Sequence, residues 1–214
     1  MNNKVTVIDY GIGNVFSVCN ALLQIGASPL LTNNPKQIQD SDRVVLPGVG
    51  AFAVAIKNLK EKKIDEAILK LITKERPFLG ICVGMQLLME TSNEMGEHKG
   101  LGIISGKVDK ISNSFPNNKK NKVPHIGWAK ILKKNLTSHL SNIIIDPQID
   151  NNYFYFVHSY SCYPSAKDNV IATLDYNGVN LVAAIGFKNV LGVQFHPERS
   201  GLAGLSLLDR FMKI

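Results

Sequence analysis

Three short apolar runs constrain the fold of this chain more than any other feature, because each is followed by a stretch with helical periodicity. The runs cover residues 5–9, 44–46 and 77–81, and their length is typical of strands buried on both faces of a sheet. Behind the first run, apolar residues recur at three- and four-residue spacing: Val15, Val18, Leu22 and Ile25. Behind the third run, a helix is expected to carry Met85, Leu88 and Met89. Strands that alternate with helices predict parallel βαβ units.

The second half of the chain has a different pattern, with strand-like segments separated only by turn residues. These segments cover residues 128–132, 153–158, 170–174, 182–187 and 190–195. They predict antiparallel hairpins added to the parallel core, and a helix is expected from Gly201 onward. The predicted fold class is therefore α/β, with a mostly parallel central sheet flanked by helices and extended by antiparallel strands. No repeat or linker divides the chain, so residues 1–214 are expected to form one domain, with a mobile loop at 112–122.

The composition excludes several functional classes. The net charge is +7, but the lysines form no patterned block, so a nucleic-acid binder is not expected. The apolar runs fall short of the ~18 residues that a membrane span needs. Cys19, Cys82 and Cys162 are far apart and lack metal-ligand spacing, so neither a metal site nor a disulfide framework is expected. A reduced, soluble and cytoplasmic protein is the expectation that follows.

Residues 80–84, with the sequence GICVG, have the form of a nucleophile elbow in which cysteine replaces serine. Glycines on both sides allow a sharp strand-to-helix turn that lifts the sulfur of Cys82 above the sheet. The turn places the sulfur at a helix N-terminus, where the dipole favours a thiolate, and aims the amide of Val83 at a developing oxyanion. The alternative is that Cys82 is only a small core residue.

The segment His196-Pro197-Glu198 supplies the groups that a cysteine nucleophile needs. His196 follows a predicted strand, and catalytic groups collect at strand ends in parallel sheets. Pro197 fixes the backbone between the two polar residues, so the carboxylate can orient the imidazole toward a thiol. Cys82, His196 and Glu198 are therefore predicted to form a catalytic triad. A surface histidine beside a solvated glutamate is the alternative; His98, His125 and His139 are less suited to the role.

Residues 47–50, with the sequence PGVG, form a second glycine-rich turn after a buried strand. Glycines there let backbone amides approach a substrate closely, so this turn is a candidate for the second oxyanion donor. A tight connection without chemistry is the alternative.

Six blocks of the sequence, which follow one another in the order typical of the family, resemble the triad-type class I glutamine amidotransferases. Within that class the chain resembles the glutaminase subunits of imidazole glycerol phosphate synthase. The blocks are residues 9–14, 46–52, 79–88, 123–128, 153–160 and 192–201. The resemblance implies a flavodoxin-like core, with Cys82 as the nucleophile and His196 and Glu198 as its partners.

The resemblance also implies roles for residues that spacing alone does not assign. Positions that match the oxyanion region or the glutamine pocket are Gly48, Val49, Gly50, Val83, Gln86, His158, Ser159 and Tyr160. Positions that match the surface facing the synthase partner are Asn14, Trp128, Tyr155 and Arg199.

The function implied by the resemblance is hydrolysis of L-glutamine to glutamate and ammonia, without a cofactor. Ammonia would pass to a cyclase subunit with a (β/α)₈ barrel, the second half of a heterodimer, which makes imidazole glycerol phosphate and aminoimidazole carboxamide ribotide in histidine biosynthesis. The family commonly has asparagine where this chain has Ala129, which keeps open a paralogue that feeds a surface-sugar amidotransferase. A stand-alone cysteine hydrolase of related fold and a non-catalytic binding module are the remaining alternatives.

Overall fold

The computed structural model describes residues 3–113, 122–134, 139–144 and 153–214. The strands are β1 (Lys4–Ile8), β2 (Ser28–Thr32), β3 (Val44–Gly48), β4 (Phe78–Cys82), β5 (Met89–Ser92), β6 (His98–Lys99), β7 (Ile104–Lys110), β8 (His125–Lys133), β9 (Tyr153–His158), β10 (Tyr160–Pro164), β11 (Val170–Tyr176), β12 (Val179–Phe187) and β13 (Val190–Val193). The helices are α1 (Val15–Gln24), α2 (Pro35–Gln39), α3 (Phe52–Glu61), α4 (Ile64–Thr73), α5 (Val83–Gln86), α6 (Ser141–Ile144) and α7 (Gly201–Phe211). Short 3₁₀ helices cover Lys167–Asn169 and Pro197–Arg199.

A nine-stranded sheet forms the centre of the molecule, in the order β2-β1-β3-β4-β13-β12-β11-β8-β9. The neighbours from β2 to β13 run parallel, and those from β13 to β9 run antiparallel. The predicted fold class, a mostly parallel core extended by antiparallel strands, is confirmed. In the parallel half, β3 and β4 are buried along their whole length, as strands covered by helices on both faces are.

Each long helix buries one apolar stripe. In α1 the stripe consists of Val18, Ala21 and Leu22, which lie on one face because a helix repeats every 3.6 residues. The stripes of α3, α4 and α7 follow the same spacing: Phe52, Ala55, Ile56 and Leu59; Ile64, Ala67, Ile68 and Leu71; Ala203, Leu207, Leu208 and Phe211. No helix of the described residues is long and apolar enough to cross a membrane.

A second sheet of four strands, in the order β10-β7-β5-β6, was not predicted from the sequence. Strand β7 shows why, since only Ile104 and Val108 of its seven residues are buried. Buried residues four apart resemble one turn of a helix as closely as they resemble a strand. The edge strand β2 has no buried residue, and its pairing with β1 determines its conformation.

The helix predicted after Cys82 is much shorter than expected. Helix α5 ends at Gln86 after 4 residues, and Met89 begins strand β5, which pairs with β7. Leu87, Leu88 and Met89, which follow the helix, are buried. Cys82 lies at the N-terminus of α5, as predicted, and the sharp turn is present, but the helix behind it is short. The loop predicted at 112–122 lies mostly outside the described residues.

The sheet brings three strand ends together at one edge. Parallel strands β3, β4 and β13 are neighbours, and Cys82 pairs in register with Gly48. Val193, the last residue of β13, lies beside Ile81, so His196 follows three residues later at the same edge. The carboxyl ends of parallel strands are where sites form in such sheets.

Candidate active site

The backbone at Cys82 is in a conformation that few residues other than glycine adopt. Its φ is 54° and its ψ is −109°, and strain of this kind persists only where the surrounding packing enforces it. The packing is tight because Gly48, Gly80 and Gly84 leave no room for a side chain. A Cβ at Gly84 would lie 2.0 Å from the carbonyl oxygen of Leu46, and one at Gly80 would lie 2.6 Å from the carbonyl oxygen of Gly84. These contacts hold the turn that projects the sulfur into the cavity.

His196 and Glu198 form a buried ion pair behind this cavity. Nδ1 of His196 donates to Oε1 of Glu198 at 2.8 Å, and the two side chains are 4% and 1% exposed. The backbone of His196 is held by a hydrogen bond from its amide to the carbonyl of Tyr155 at 2.9 Å. A buried carboxylate at Nδ1 fixes the ring orientation and leaves Nε2 to face the reacting atoms.

The environment of His196 favours the protonated imidazole. Burial lowers its pKa, but the interactions with Cys82 and Glu198 outweigh burial and raise the pKa to about 10. Nε2 is buried and has no hydrogen-bond partner of good geometry in the described part of the chain, and the Cys82 thiol is the group that interacts with it on that side. A protonated imidazole in this position can stabilise a thiolate that forms beside it.

A cavity of about 500 Å³ lies above the three strand ends. Both Cys82 and His196 line it, and Glu198 lies behind the imidazole. The complete lining is Val49, Gly50, Cys82, Val83, Gln86, Glu94, Met95, Lys110, Pro124, Val157, His158, Ser159, Tyr160 and His196. The volume suits a small polar metabolite.

The candidate oxyanion and pocket residues surround this cavity with one exception. Val49, Gly50 and Val83 line it together with Cys82. Gly48 does not line the cavity; it is buried, and a Cβ there would lie 2.7 Å from the amide nitrogen of Gly84. Its place is in the packing beneath the turn.

Comparison with known proteins assigns the family. Residues 6–214 match the family described as glutamine amidotransferase class-I. The chain belongs to the class I glutamine amidotransferase family. Imidazole glycerol phosphate synthase subunit HisH of Bacillus velezensis is 39% identical over 208 residues, which cover 97% of this chain and 95% of that protein. The protein of the same name from Zymomonas mobilis is 43% identical over 219 residues, covering 99% and 96% respectively.

Solved structures agree on the fold of this amidotransferase. A crystal structure of a glutamine amidotransferase superposes with a TM-score of 0.70 at 17% identity, covering 98% of this chain and 99% of that one. The structure of PurLQS from Thermotoga maritima superposes with a TM-score of 0.73 at 20% identity, covering 100% and 97%. At these identities the likeness concerns the fold alone.

The predictions from the sequence did not include three polar groups at the amidotransferase site: Gln194, Glu94 and Lys110. Nε2 of Gln194 lies 3.6 Å from the sulfur of Cys82, and Glu94 lines the cavity. Gln194 was within reach of prediction, because residues two apart on an extended segment point to the same side and His196 is two residues further on. Glu94 follows a strand that was itself missed, so nothing in the sequence indicated its position.

His125 begins strand β8 and is buried. Its Nδ1 and Nε2 of His158 are 3.1 Å apart, and Nδ1 of His158 donates to the carbonyl of Tyr160 at 2.9 Å. Because a carbonyl only accepts, the proton of a neutral His158 lies on Nδ1, and His125 donates to Nε2. Burial lowers the pKa of His158 to about 4 and also lowers that of His125. The pair is therefore neutral, and His158 is the member that lines the cavity.

The residues expected to face a partner lie close to one another on the surface. The rings of Trp128 and Tyr155 are 6.1 Å apart, and the guanidinium of Arg199 lies 5.9 Å from the Tyr155 ring. Asn14 precedes α1, which packs against the Pro197–Arg199 segment. Trp128 is 55% exposed, and an exposed tryptophan on an aromatic surface is typical of a protein interface. In the described ranges no three metal-binding side chains cluster.

Proposed function

We propose that this chain is the glutaminase subunit of an imidazole glycerol phosphate synthase and that Cys82, His196 and Glu198 are its catalytic triad. The observation that carries the proposal is the buried His196–Glu198 pair, which faces a cysteine on a strained turn at the edge of a cavity. Thiol, base and orienting carboxylate in one place are the components of acyl transfer through a covalent intermediate. The relatives named above, which this chain matches over nearly their whole length, bear the name of that subunit.

In the proposed reaction the Cys82 thiolate attacks the side-chain carbonyl of glutamine, and the thiol proton rests on His196. The amides of Val83 and of the turn at residues 49–50 stabilise the oxyanion, each contributing about 3 kcal/mol to lowering the barrier. The proton on His196 then passes to the departing nitrogen, so ammonia leaves and a glutamyl thioester remains. Water, deprotonated by His196, cleaves the thioester to glutamate and restores the thiol.

The cavity walls complement the charges of an amino acid. The carboxylate of Glu94 and the ammonium of Lys110 both line the cavity, and they are suited to the α-ammonium and α-carboxylate of glutamine. Gln86 donates from Nε2 to the carbonyl of Tyr160 at 3.3 Å and to Oε1 of Gln194 at 3.1 Å. With both N–H groups used, its Oε1 is the atom that can accept from the substrate.

The ammonia is proposed to pass to a cyclase subunit with a (β/α)₈ barrel, docked on the surface that carries Trp128, Tyr155, Arg199 and Asn14. Direct passage of ammonia between the two docked subunits keeps it from water, and it links glutaminase turnover to the presence of the partner. We expect slow glutamine hydrolysis by the free chain and faster hydrolysis when the cyclase and its ligand are bound. A paralogue that serves another acceptor, suggested by Ala129, would instead respond to a different partner.

The direct test compares Cys82→Ser with Cys19→Ser, each assembled with the cyclase subunit, by the rate of glutamate release. Cys19 is partly buried on α1 and does not line the cavity, so its replacement controls for the loss of a thiol. We expect Cys82→Ser to abolish turnover and Cys19→Ser to retain it. Turnover by the Cys82→Ser complex at the wild-type rate would contradict the proposal.

A further inference from the structure

The amide of Gln194 contacts the Cys82 sulfur from inside the protein. Its Nε2 lies 3.6 Å from Sγ, which is hydrogen-bonding distance for sulfur, and the side chain is completely buried. Its main-chain amide donates to the carbonyl of Ala183 at 2.9 Å, which holds the residue beside the elbow. A neutral thiol is a weak acceptor, whereas a thiolate carries a full charge on the same atom. The contact therefore becomes stronger when Cys82 ionises.

The carbonyl of Tyr160 determines the orientation of the side-chain amides of Gln86 and Gln194. The carbonyl oxygen of Tyr160 can only accept, so the group 3.3 Å away must be the amino end of Gln86. That amino end also donates to Oε1 of Gln194 at 3.1 Å. The oxygen of Gln194 is thereby turned toward Gln86, and its amino group is turned toward the sulfur. The main-chain carbonyl of Tyr160 thus determines, through Gln86, that Gln194 presents an N–H group to the Cys82 sulfur.

The carbonyl of Val157, which also contacts the Cys82 sulfur, destabilises a thiolate. In the neutral state Sγ–H of Cys82 donates to the carbonyl oxygen of Val157 at 4.0 Å. Once the proton has moved to His196, this carbonyl presents its negative end to a negative sulfur. Gln194 then supplies a neutral donor that faces the anion and needs no reorganisation.

We propose that Gln194 is a further catalytic residue, whose amide N–H stabilises the Cys82 thiolate by a direct hydrogen bond. The proposal deepens the glutaminase function proposed above and rests on it. Gln194 transfers no proton, because the thiol proton passes to His196 and the amide keeps both of its hydrogens. Gln86 is a positioning residue for this contact, since it acts on the sulfur only through Gln194.

The test measures thiolate formation in the free chain, without glutamine or a partner. Cys82 is alkylated with iodoacetamide across a range of pH, and its modification is followed by peptide mass spectrometry. Gln194→Met keeps the length of the side chain and removes the donor, so the midpoint of the pH profile is expected to rise by about one to two pH units. Thr173→Val is the matched control, because it removes a buried hydroxyl that has no hydrogen-bond partner in the described ranges; its profile is expected to match that of the wild type.

Kinetics of the assembled complex provide a second measurement. Gln194→Met is expected to lower kcat about 10- to 100-fold while KM changes by less than about threefold, because the lost contact is made to the nucleophile. An alkylation profile of folded Gln194→Met that superimposes on the wild type overturns the proposal. If this variant does not fold, Gln86→Leu decides the question, since it leaves Gln194 in place but frees its amide to turn. An unchanged midpoint in Gln86→Leu also overturns the proposal.

The two proposals fail in different ways. A wild-type complex without glutaminase activity would refute the proposed function and leave the alkylation result standing. A wild-type complex that is active, together with alkylation profiles that Gln194→Met does not shift, would refute only the role of Gln194.

Discussion

Glu198→Gln removes a negative charge beside His196 while preserving the shape of the side chain. At the 2.8 Å separation of Nδ1 and Oε1, two unit charges attract by about 6 kcal/mol at an effective dielectric constant of about 20. The amide oxygen of glutamine keeps part of this attraction as an ordinary hydrogen bond. We therefore expect the imidazolium to lose about 3 kcal/mol of stabilisation, in the range found when one member of a buried pair is removed.

The loss should appear in the chemical step, because His196 carries the proton in both halves of the proposed reaction. A change of 3 kcal/mol corresponds to a fall in kcat on the order of 10²-fold, with the pKa of His196 moving from about 10 toward its usual 6.5. The assay is glutamate release by the assembled complex at saturating glutamine, coupled to glutamate dehydrogenase.

The control removes an ion pair of similar length from the surface. Oε1 of Glu75 lies 3.0 Å from Nζ of Lys188, and the two side chains are 60% and 56% exposed. Exposed pairs contribute little, so Glu75→Gln should leave kcat within about twofold of the wild type. The reasoning is refuted if Glu198→Gln, correctly folded, also stays within about threefold.

Three further predictions follow from particular contacts. Gly84→Ala forces a Cβ to within 2.0 Å of the Leu46 carbonyl oxygen. The free energy of unfolding should fall by about 1–3 kcal/mol, which lowers Tm by roughly 3–10 °C in calorimetry. An unchanged Tm would contradict the tight packing at Gly84. Burial lowers the pKa of His158 from 6.5 to about 4. Between pH 6.5 and pH 4 the folded protein therefore binds fewer protons than the unfolded chain. As the pH falls through this range, the free energy of unfolding should decrease by up to about 3 kcal/mol. Urea unfolding at pH 5 and pH 7 measures this loss, which His158→Gln should reduce; equal pH slopes for both proteins would count against it. Trp128→Ala should weaken cyclase binding at least tenfold, or by about 1.4 kcal/mol, in calorimetric titration, with Tm unchanged; an unaltered Kd would remove Trp128 from the interface.

The parallel core and the elbow were predictable because they depend on short-range patterns. Residues 80–84 combine a buried strand with glycines on both sides of Cys82, and in the structure Gly80 and Gly84 are the positions where no Cβ fits. His196 and Glu198 are separated by one proline, so their hydrogen bond is a local contact. Features of this kind can be read from a sequence without knowing which strands become neighbours.

What the sequence did not reveal depends on contacts between distant segments. The length of α5 depends on β5 pairing with β7, which is a tertiary choice. His125 and His158 are 33 residues apart along the chain, and they lie side by side because β8 pairs with β9. No periodicity in either strand specifies that partner. The prediction that residues 1–214 form one domain stays a prediction, and a single calorimetric unfolding transition would support it.

The most direct test of the account is the site of reaction with a glutamine analogue that carries a diazoketone in place of the amide. Such a reagent is recognised as glutamine and alkylates the nucleophile that attacks it, so peptide mass spectrometry identifies the residue. We expect one adduct, on Cys82, which excess glutamine prevents, with Cys162 and Cys19 unmodified. An adduct on Cys19, or a wild-type enzyme that releases glutamate while Cys82 stays unlabelled, would contradict it.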